Sequence, residues 1–221
     1  MKKITQLFLF LFLFTLFIPI SFSQTIIHTE NFEGADFIGY AIGNADTGTD
    51  DTSQTFRTSS DVNDRIGRGL VGDFTFAGVI TGNNTNVIGG EDIDFIGGYN
   101  GHSYIELDPI SINAKTNLSI DIDLAFPNTF AGRYETDDFL IVDYKIDGGS
   151  YTSVLAFYGD NTGSGSPTLG LRRDDNLNGT LEGSETTKIN TAMTNFSLNL
   201  DAITGRTVNG STIEIRVRFS M

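Results

Sequence analysis

The chain has no cysteine and no tryptophan, and only two histidines and four prolines among its 221 residues. Without cysteine there are no disulfides, no thiol nucleophile, no zinc–thiolate site and no lipidated N-terminal Cys. Basic side chains are scarce as well, 14 against 28 acidic ones. A net charge of −14 repels phosphate, which sets nucleic acid aside as a partner. His28 and His102 lie in neither a G-x-S-x-G nor an H-E-x-x-H context, so a Ser–His triad or a zinc hydrolase has no foothold. Phosphate-cradling and dinucleotide-binding glycine motifs are also missing.

Long apolar runs are limited to one. Residues 7–20 are almost unbroken in apolar character, follow Lys2 and Lys3, and precede Ser21-Phe22-Ser23. That charged, apolar, cleavable order describes a secretory signal, and the run is short for a bilayer span. Cleavage is expected after Ser23, making residues 1–23 a signal peptide and residues 24–221 a single β-sandwich domain. The mature protein is then secreted or held at the cell surface, with no membrane span. Removing the signal takes away two lysines and six of the 18 phenylalanines and deepens the net charge from −14 to −16. A chain without disulfides outside the cell needs another staple, and acid-rich loops suit calcium.

What is present is a period of two. Leu118, Ile120, Ile122, Leu124 and Phe126 alternate with Ser119, Asp121, Asp123 and Ala125, and Ile213, Ile215, Val217 and Phe219 alternate with Glu214, Arg216 and Arg218. Residues 196–200 and 139–146 repeat the pattern. Such alternation predicts half-buried antiparallel strands, apolar inward and polar outward. Weaker strands are expected at residues 25–32, 73–79, 103–107, 152–158 and 168–171. Asp147-Gly148-Gly149-Ser150 reads as a hairpin turn, because glycine supplies positive φ without steric cost. No segment shows a helical period with caps. Residues 43–64 and 160–167 read as loops. Seven to ten such strands predict an all-β, two-sheet antiparallel sandwich with jelly-roll topology. Alternation runs on to Phe219, and the chain stops at Met221. Two readings stay open there, a fragment lacking a terminal strand and any downstream domain, or the last strand of a complete sandwich.

The sharpest local signal is the stretch from Asp174 to Glu185. With Asp174 as position one, Asn176, Asn178, Gly179, Thr180 and Glu185 fall at positions three, five, six, seven and twelve. This satisfies D-x-[DN]-x-[DN]-G-x₅-E at every specified place. Alternate short oxygen-bearing side chains converge on a hard cation, glycine permits the turn, the position-seven carbonyl contributes, and a bidentate Glu completes the shell. The flanks do not read as a helix pair, so the expectation is a structural calcium (Ca2+) loop in a β context. Two asparagines in place of aspartates should weaken it. The competing reading is an Asn-Gly loop that binds nothing. Glu33, at the start of the mature chain, is a further candidate ligand, set against a solvated strand end.

Other carboxylate groups, Glu91-Asp92-Ile93-Asp94 and Glu135-Thr136-Asp137-Asp138, read as ligands, as an acid/base pair or as charged loop edges. The E-x-D-x-x-E strand of one sandwich-fold glycosidase group is not completed by the first. Tyr99, Tyr104, Tyr134, Tyr151 and Tyr158 suit sugar stacking if exposed and core packing if not.

Three segments carry a resemblance: Glu30-Asn31-Phe32-Glu33-Gly34, the run from Asp137 through Ile146 to Gly149, and the loop from Asp174 to Glu185. Together with Arg216-Val217-Arg218-Phe219-Ser220 they resemble secreted jelly-roll sandwich domains of the Bacteroidetes type, which share architecture with laminin-G, MAM and carbohydrate-binding modules. The resemblance implies a concanavalin- or galactose-binding-like fold and a non-catalytic module, sometimes attached to secreted hydrolases. The expected function is therefore calcium-stabilised binding or adhesion to polysaccharide or a cell-surface glycan. The alternative is a polysaccharide-active hydrolase or lyase on the same fold.

Overall fold

The computed structural model describes residues 25–30, 40–44, 57–58, 65–70, 86–91, 103–125, 138–159, 171–189 and 192–220. Within them, period-two alternation becomes strand. In chain order the strands are β1 (Tyr40–Asn44), β2 (Arg57–Thr58), β3 (Arg65–Leu70), β4 (Asn86–Glu91), β5 (Ser103–Leu107) and β6 (Ile110–Ser111). They continue with β7 (Ser119–Leu124), β8 (Phe139–Ile146), β9 (Thr152–Gly159), β10 (Leu171–Arg173), β11 (Thr194–Asn199) and β12 (Thr212–Ser220). One sheet runs β1-β5-β12-β8-β9-β10, with β6 also pairing to β12. A second pairs β11 with β7, and a third orders β2-β3-β4.

The first two sheets form an antiparallel sandwich, as the alternation predicts. Leu140, Val142 and Tyr144 of β8, Phe157 of β9 and Phe219 of β12 point inward from the large sheet. Ile120 of β7 and Phe196 and Leu198 of β11 meet them from the small one. The most direct contact is between rings: Phe157 and Phe196 lie 5.3 Å apart at centroids, edge to face. Burying each such side chain stabilises the fold by about 1.5–3 kcal/mol. In chain order β5 and β6 belong to the large sheet, β7 to the small one, β8, β9 and β10 to the large, β11 to the small and β12 to the large.

Turn chemistry at the β8–β9 hairpin is as read. Asp147 and Gly148 both have positive φ (49° and 70°), and the Gly149 N–H donates to the Ile146 carbonyl at 2.9 Å. Two left-handed residues in succession match the right-handed twist of the flanking strands. Asp147 also accepts from the Ser211 and Thr212 N–H groups at 2.8 Å each, tying the hairpin to the start of β12.

On the outer face of the large sheet, register builds an ion-pair network. Asp143 lies opposite Arg216 and Lys145 opposite Glu214. Asp143 Oδ2 accepts from Arg218 Nε at 2.6 Å and from Arg216 Nη2 at 2.9 Å, and Ser153 donates to Oδ1 at 2.8 Å. Burial pushes the Asp143 carboxyl up, but Arg218, Ser153 and Arg216 together outweigh it and hold the group below its usual range. Lys145 bridges Glu214 at 2.9 Å and Glu106 at 3.4 Å.

Four expectations change. Residues 25–30 form no strand and are mostly exposed, Ile26 at 79%. A helix does occur: α1 (Leu200–Thr204) takes Asn199 as its N-cap, accepting from Ala202 N–H at 2.8 Å, and ends at Gly205 with φ 66°. It is too short to show a period. Gly43 and Asn44 belong to β1, and Arg57–Thr58 form β2, inside the stretch read as loop. Finally, β2 pairs β3 in parallel, the one departure from antiparallel pairing among the described ladders. Residues 73–79 and 168–170 lie outside the described residues.

Candidate metal centre

The 174–185 loop leaves the end of β10, and among the described residues no helix pair flanks it. Its stem is a short ladder: Arg173 N–H donates to the Thr187 carbonyl at 2.8 Å, and Ile189 N–H to the Leu171 carbonyl at 3.3 Å. Leu171 and Ile189 are both core residues, so hydrophobic burial fixes the two ends of the loop. Asp174 N–H donates to the Ala156 carbonyl of β9 at 2.9 Å, anchoring the first position to the large sheet.

From that anchor the Asp174 carboxylate organises the turn. It accepts from the N–H groups of Asn176 (3.2 Å), Asn178 (3.4 Å) and Gly179 (2.7 Å). Gly179 has φ 82°, a region that side chains with a Cβ rarely enter, which explains glycine at position six. Leu177 is also left-handed, at φ 58°. Glu185 closes the loop from the other end, its two oxygens each accepting at 2.7 Å, from Asp175 N–H and Glu182 N–H. Asn176 and Asn178 make successive turns through their Oδ1 atoms, which accept from Asn178 N–H (3.0 Å) and Thr180 N–H (2.8 Å).

Carboxylate oxygens of Asp174, Glu182 and Glu185 lie within 4.8 Å of one another. Asp174 and Glu185 are 1% and 3% exposed. No Lys, Arg or His pairs with any of these three carboxylates among the described residues; the nearby Arg173 pairs with Asp175 instead, at 3.2 Å. Buried carboxylates are ordinarily paired with a cation or bound to a metal. The donor set therefore fits a hard divalent cation. Asp174, Glu182 and Glu185 would hold it, with the second lone pairs of Asn176 and Asn178 Oδ1 and the Thr180 carbonyl completing an oxygen shell.

Of the residues expected from spacing, the structure gathers Asp174 and Glu185 directly and brings Asn176 and Asn178 in through Glu182. Asn178 Nδ2 donates to Glu182 at 2.7 Å and Asn176 Nδ2 at 3.2 Å. The Asn178 amide, helped by Asn176, draws the Glu182 carboxyl below its usual range. Thr180 is exposed. Glu33 lies outside the described residues. Glu182 itself escaped the sequence reading, although position nine of such loops commonly serves the metal through a water. Tyr158 of β9 borders the loop; a Cβ at Gly179 would sit 3.9 Å from its hydroxyl. Burial first, then the Asp174 charge, pushes its phenol up.

The other candidates are less favourable to a ligand site. Arg216 stacks 3.6 Å over the Tyr151 ring and lies 5.8 Å from the Tyr104 centroid, so intramolecular cations already cover both rings. Burial, then the Glu106 carboxylate, pushes the Tyr151 phenol up to about 12. Asp138 is buried at the start of β8, while residues 92–94 and 135–137, with Tyr99, Tyr134 and His102, lie outside the described residues. No helix among the described residues is long and apolar enough to cross a membrane. Comparison with protein-family models, curated proteins and solved structures finds no match to this chain. What fold and site define is thus a class, an antiparallel β-sandwich carrying a twelve-residue acidic loop on one sheet.

Proposed function

We propose that the chain is a secreted, non-catalytic β-sandwich module stabilised by calcium in its 174–185 loop, and that it serves binding or adhesion to a polysaccharide or cell-surface glycan. One observation carries the calcium reading: Asp174 and Glu185 are buried beside Glu182, and among the described residues no cationic side chain pairs with them. Bound there, calcium would neutralise the cluster and join the Asp174 end of the loop to its Glu185 end. Since both ends are rooted in the core through Leu171 and Ile189, such an ion would act as a staple on the sandwich. The alternate positions and the position-six glycine agree with that role. Secretion rests on the N-terminal signal pattern, and the ligand class on the sequence resemblance.

Two measurements test the two halves. Thermal melting in calcium and in EDTA should differ, because a cation bound only by the folded state stabilises it; coincident curves would sink the calcium reading. A glycan array read alongside a reducing-sugar assay tests the ligand. Binding without turnover supports a module. Release of reducing ends would make it an enzyme, and a blank array a structural surface protein.

A further inference from the structure

Asn-Gly pairs occur three times in the chain, at Asn100–Gly101, Asn178–Gly179 and Asn209–Gly210. The first lies outside the described residues. Such pairs are chemically labile because glycine has no Cβ to shield its backbone nitrogen. Once that nitrogen has given its proton to solvent base, it can attack the preceding asparagine Cγ. A Cγ–N bond forms, the Cγ–Nδ2 bond breaks, and Nδ2 leaves as ammonia. Water then opens the cyclic imide. Cleavage of the Cγ–N bond leaves aspartate, and cleavage at the backbone carbonyl leaves isoaspartate. The net reaction consumes one water and releases one ammonia.

Asn178 is exposed and therefore open to water, yet three contacts oppose its reaction. The nucleophile is masked, because Gly179 N–H is donated to Asp174 Oδ2 at 2.7 Å. A carboxylate acceptor stabilises the N–H and disfavours an anion on the same nitrogen. The electrophile is held at both ends, Oδ1 by Thr180 N–H at 2.8 Å and Nδ2 by Glu182 at 2.7 Å. Rotating the amide toward Gly179 N would break both.

We propose that Asn178 is a latent deamidation site held in check by Asp174 and Glu182, so that opening of the loop, and not solvent access, controls its conversion to aspartate or isoaspartate. The restraint comes from the chain's own contacts and does not depend on a bound cation. Its consequence deepens the calcium reading and rests on it: aspartate at 178 adds a charged ligand at position five, whereas isoaspartate lengthens the backbone by one carbon and disrupts the loop.

The test is peptide mapping by mass spectrometry of the mature chain aged at mildly alkaline pH in EDTA, as wild type, Asp174→Asn and Glu182→Gln. Asn209, exposed in the irregular segment before β12, serves as an internal clock for general unfolding. Asn178 should convert more slowly than Asn209 in the wild type. It should accelerate about tenfold in Asp174→Asn, the factor expected for weakening one charge-assisted hydrogen bond, and by less in Glu182→Gln, with Asn209 unchanged. An unchanged Asn178 rate in both variants would overturn the proposal. So would equal acceleration at Asn178 and Asn209, which would mean global unfolding. Because EDTA is present throughout, failure of the calcium reading leaves these outcomes intact. The consequence is read separately, as tighter calcium binding by Asn178→Asp in titration calorimetry.

Discussion

Replacing Glu185 by Gln removes one charge from the acidic loop while keeping the side chain's size. In the wild type, Asp174 and Glu185 are both buried and lie within 4.8 Å. At an effective dielectric of about 20 their repulsion is about 3.5 kcal/mol. A cation between them reverses that term. With asparagine at positions three and five, the loop should bind calcium like the weak extracellular modules, with Kd on the order of 10⁻⁴ M. At about 10 mM calcium the ion is then about a hundredfold above Kd, and the linkage stabilisation is about 2.7 kcal/mol. For a domain of this size that corresponds to a rise in Tm of roughly 5–11 °C. Differential scanning calorimetry of wild type and Glu185→Gln, each in calcium and in EDTA, reads the difference directly. The wild type should show the full rise. The variant, with no second carboxylate oxygen to offer, should show about a third of it or less. Relief of repulsion and the loss of an acceptor for Asp175 or Glu182 N–H oppose one another in EDTA, so the diagnostic quantity is the calcium-induced shift within each protein. A wild type that melts identically in both buffers, or a variant that keeps the full shift, would refute the reasoning.

Three further outcomes follow from named contacts. With no tryptophan in the chain, tyrosine is the energy donor to a bound terbium ion, and Tyr158 borders the loop. Sensitised terbium emission should appear in the wild type and fall at least about threefold in Tyr158→Phe without loss of terbium affinity by competition with calcium; undiminished emission would place the ion elsewhere. Asp143→Asn should destabilise by about 3 kcal/mol in urea unfolding, the low end for breaking a buried pair because Arg216 and Arg218 keep 20% and 21% of their side-chain surface in water. Since the folded-state carboxyl is lowered, that contribution is present above the ordinary value of 3.8 and is lost as pH falls through the lowered value. A wild-type-to-variant gap that widens on acidification would contradict it. Phe157→Ala, at a fully buried ring against Phe196, should cost about 3–5 kcal/mol in the same assay; a loss below about 1 kcal/mol would mean the two sheets do not share this core.

Alternation in residues 118–124, 139–146 and 213–219 was sufficient to predict β7, β8 and β12 and the faces they bury, because side-chain direction in a strand is a local property with period two. The spacing from Asp174 to Glu185 likewise identified the two buried carboxylates of the loop, since the turn brings alternate positions to one side. Other features were beyond any single segment. Asp143 looks like an interruption in an apolar run until β12 lies beside β8 and sets Arg216 and Arg218 around it. Tyr104 and Tyr151 read from sequence as strand packing ahead of sugar platforms, but the cation that lies over them, Arg216, is visible only in the fold. Glu182 joins the cluster only when the loop closes on the Leu171–Ile189 stem, and α1 forms only where Asn199 and Gly205 cap a single turn. The sequence alone thus determined that there are no cysteines to cross-link this chain, which faces bury, and where an oxygen-rich loop falls. Tertiary structure decided which charges meet and which stay uncompensated, because ion pairing and burial depend on partners tens of residues away, and no local pattern encodes their register.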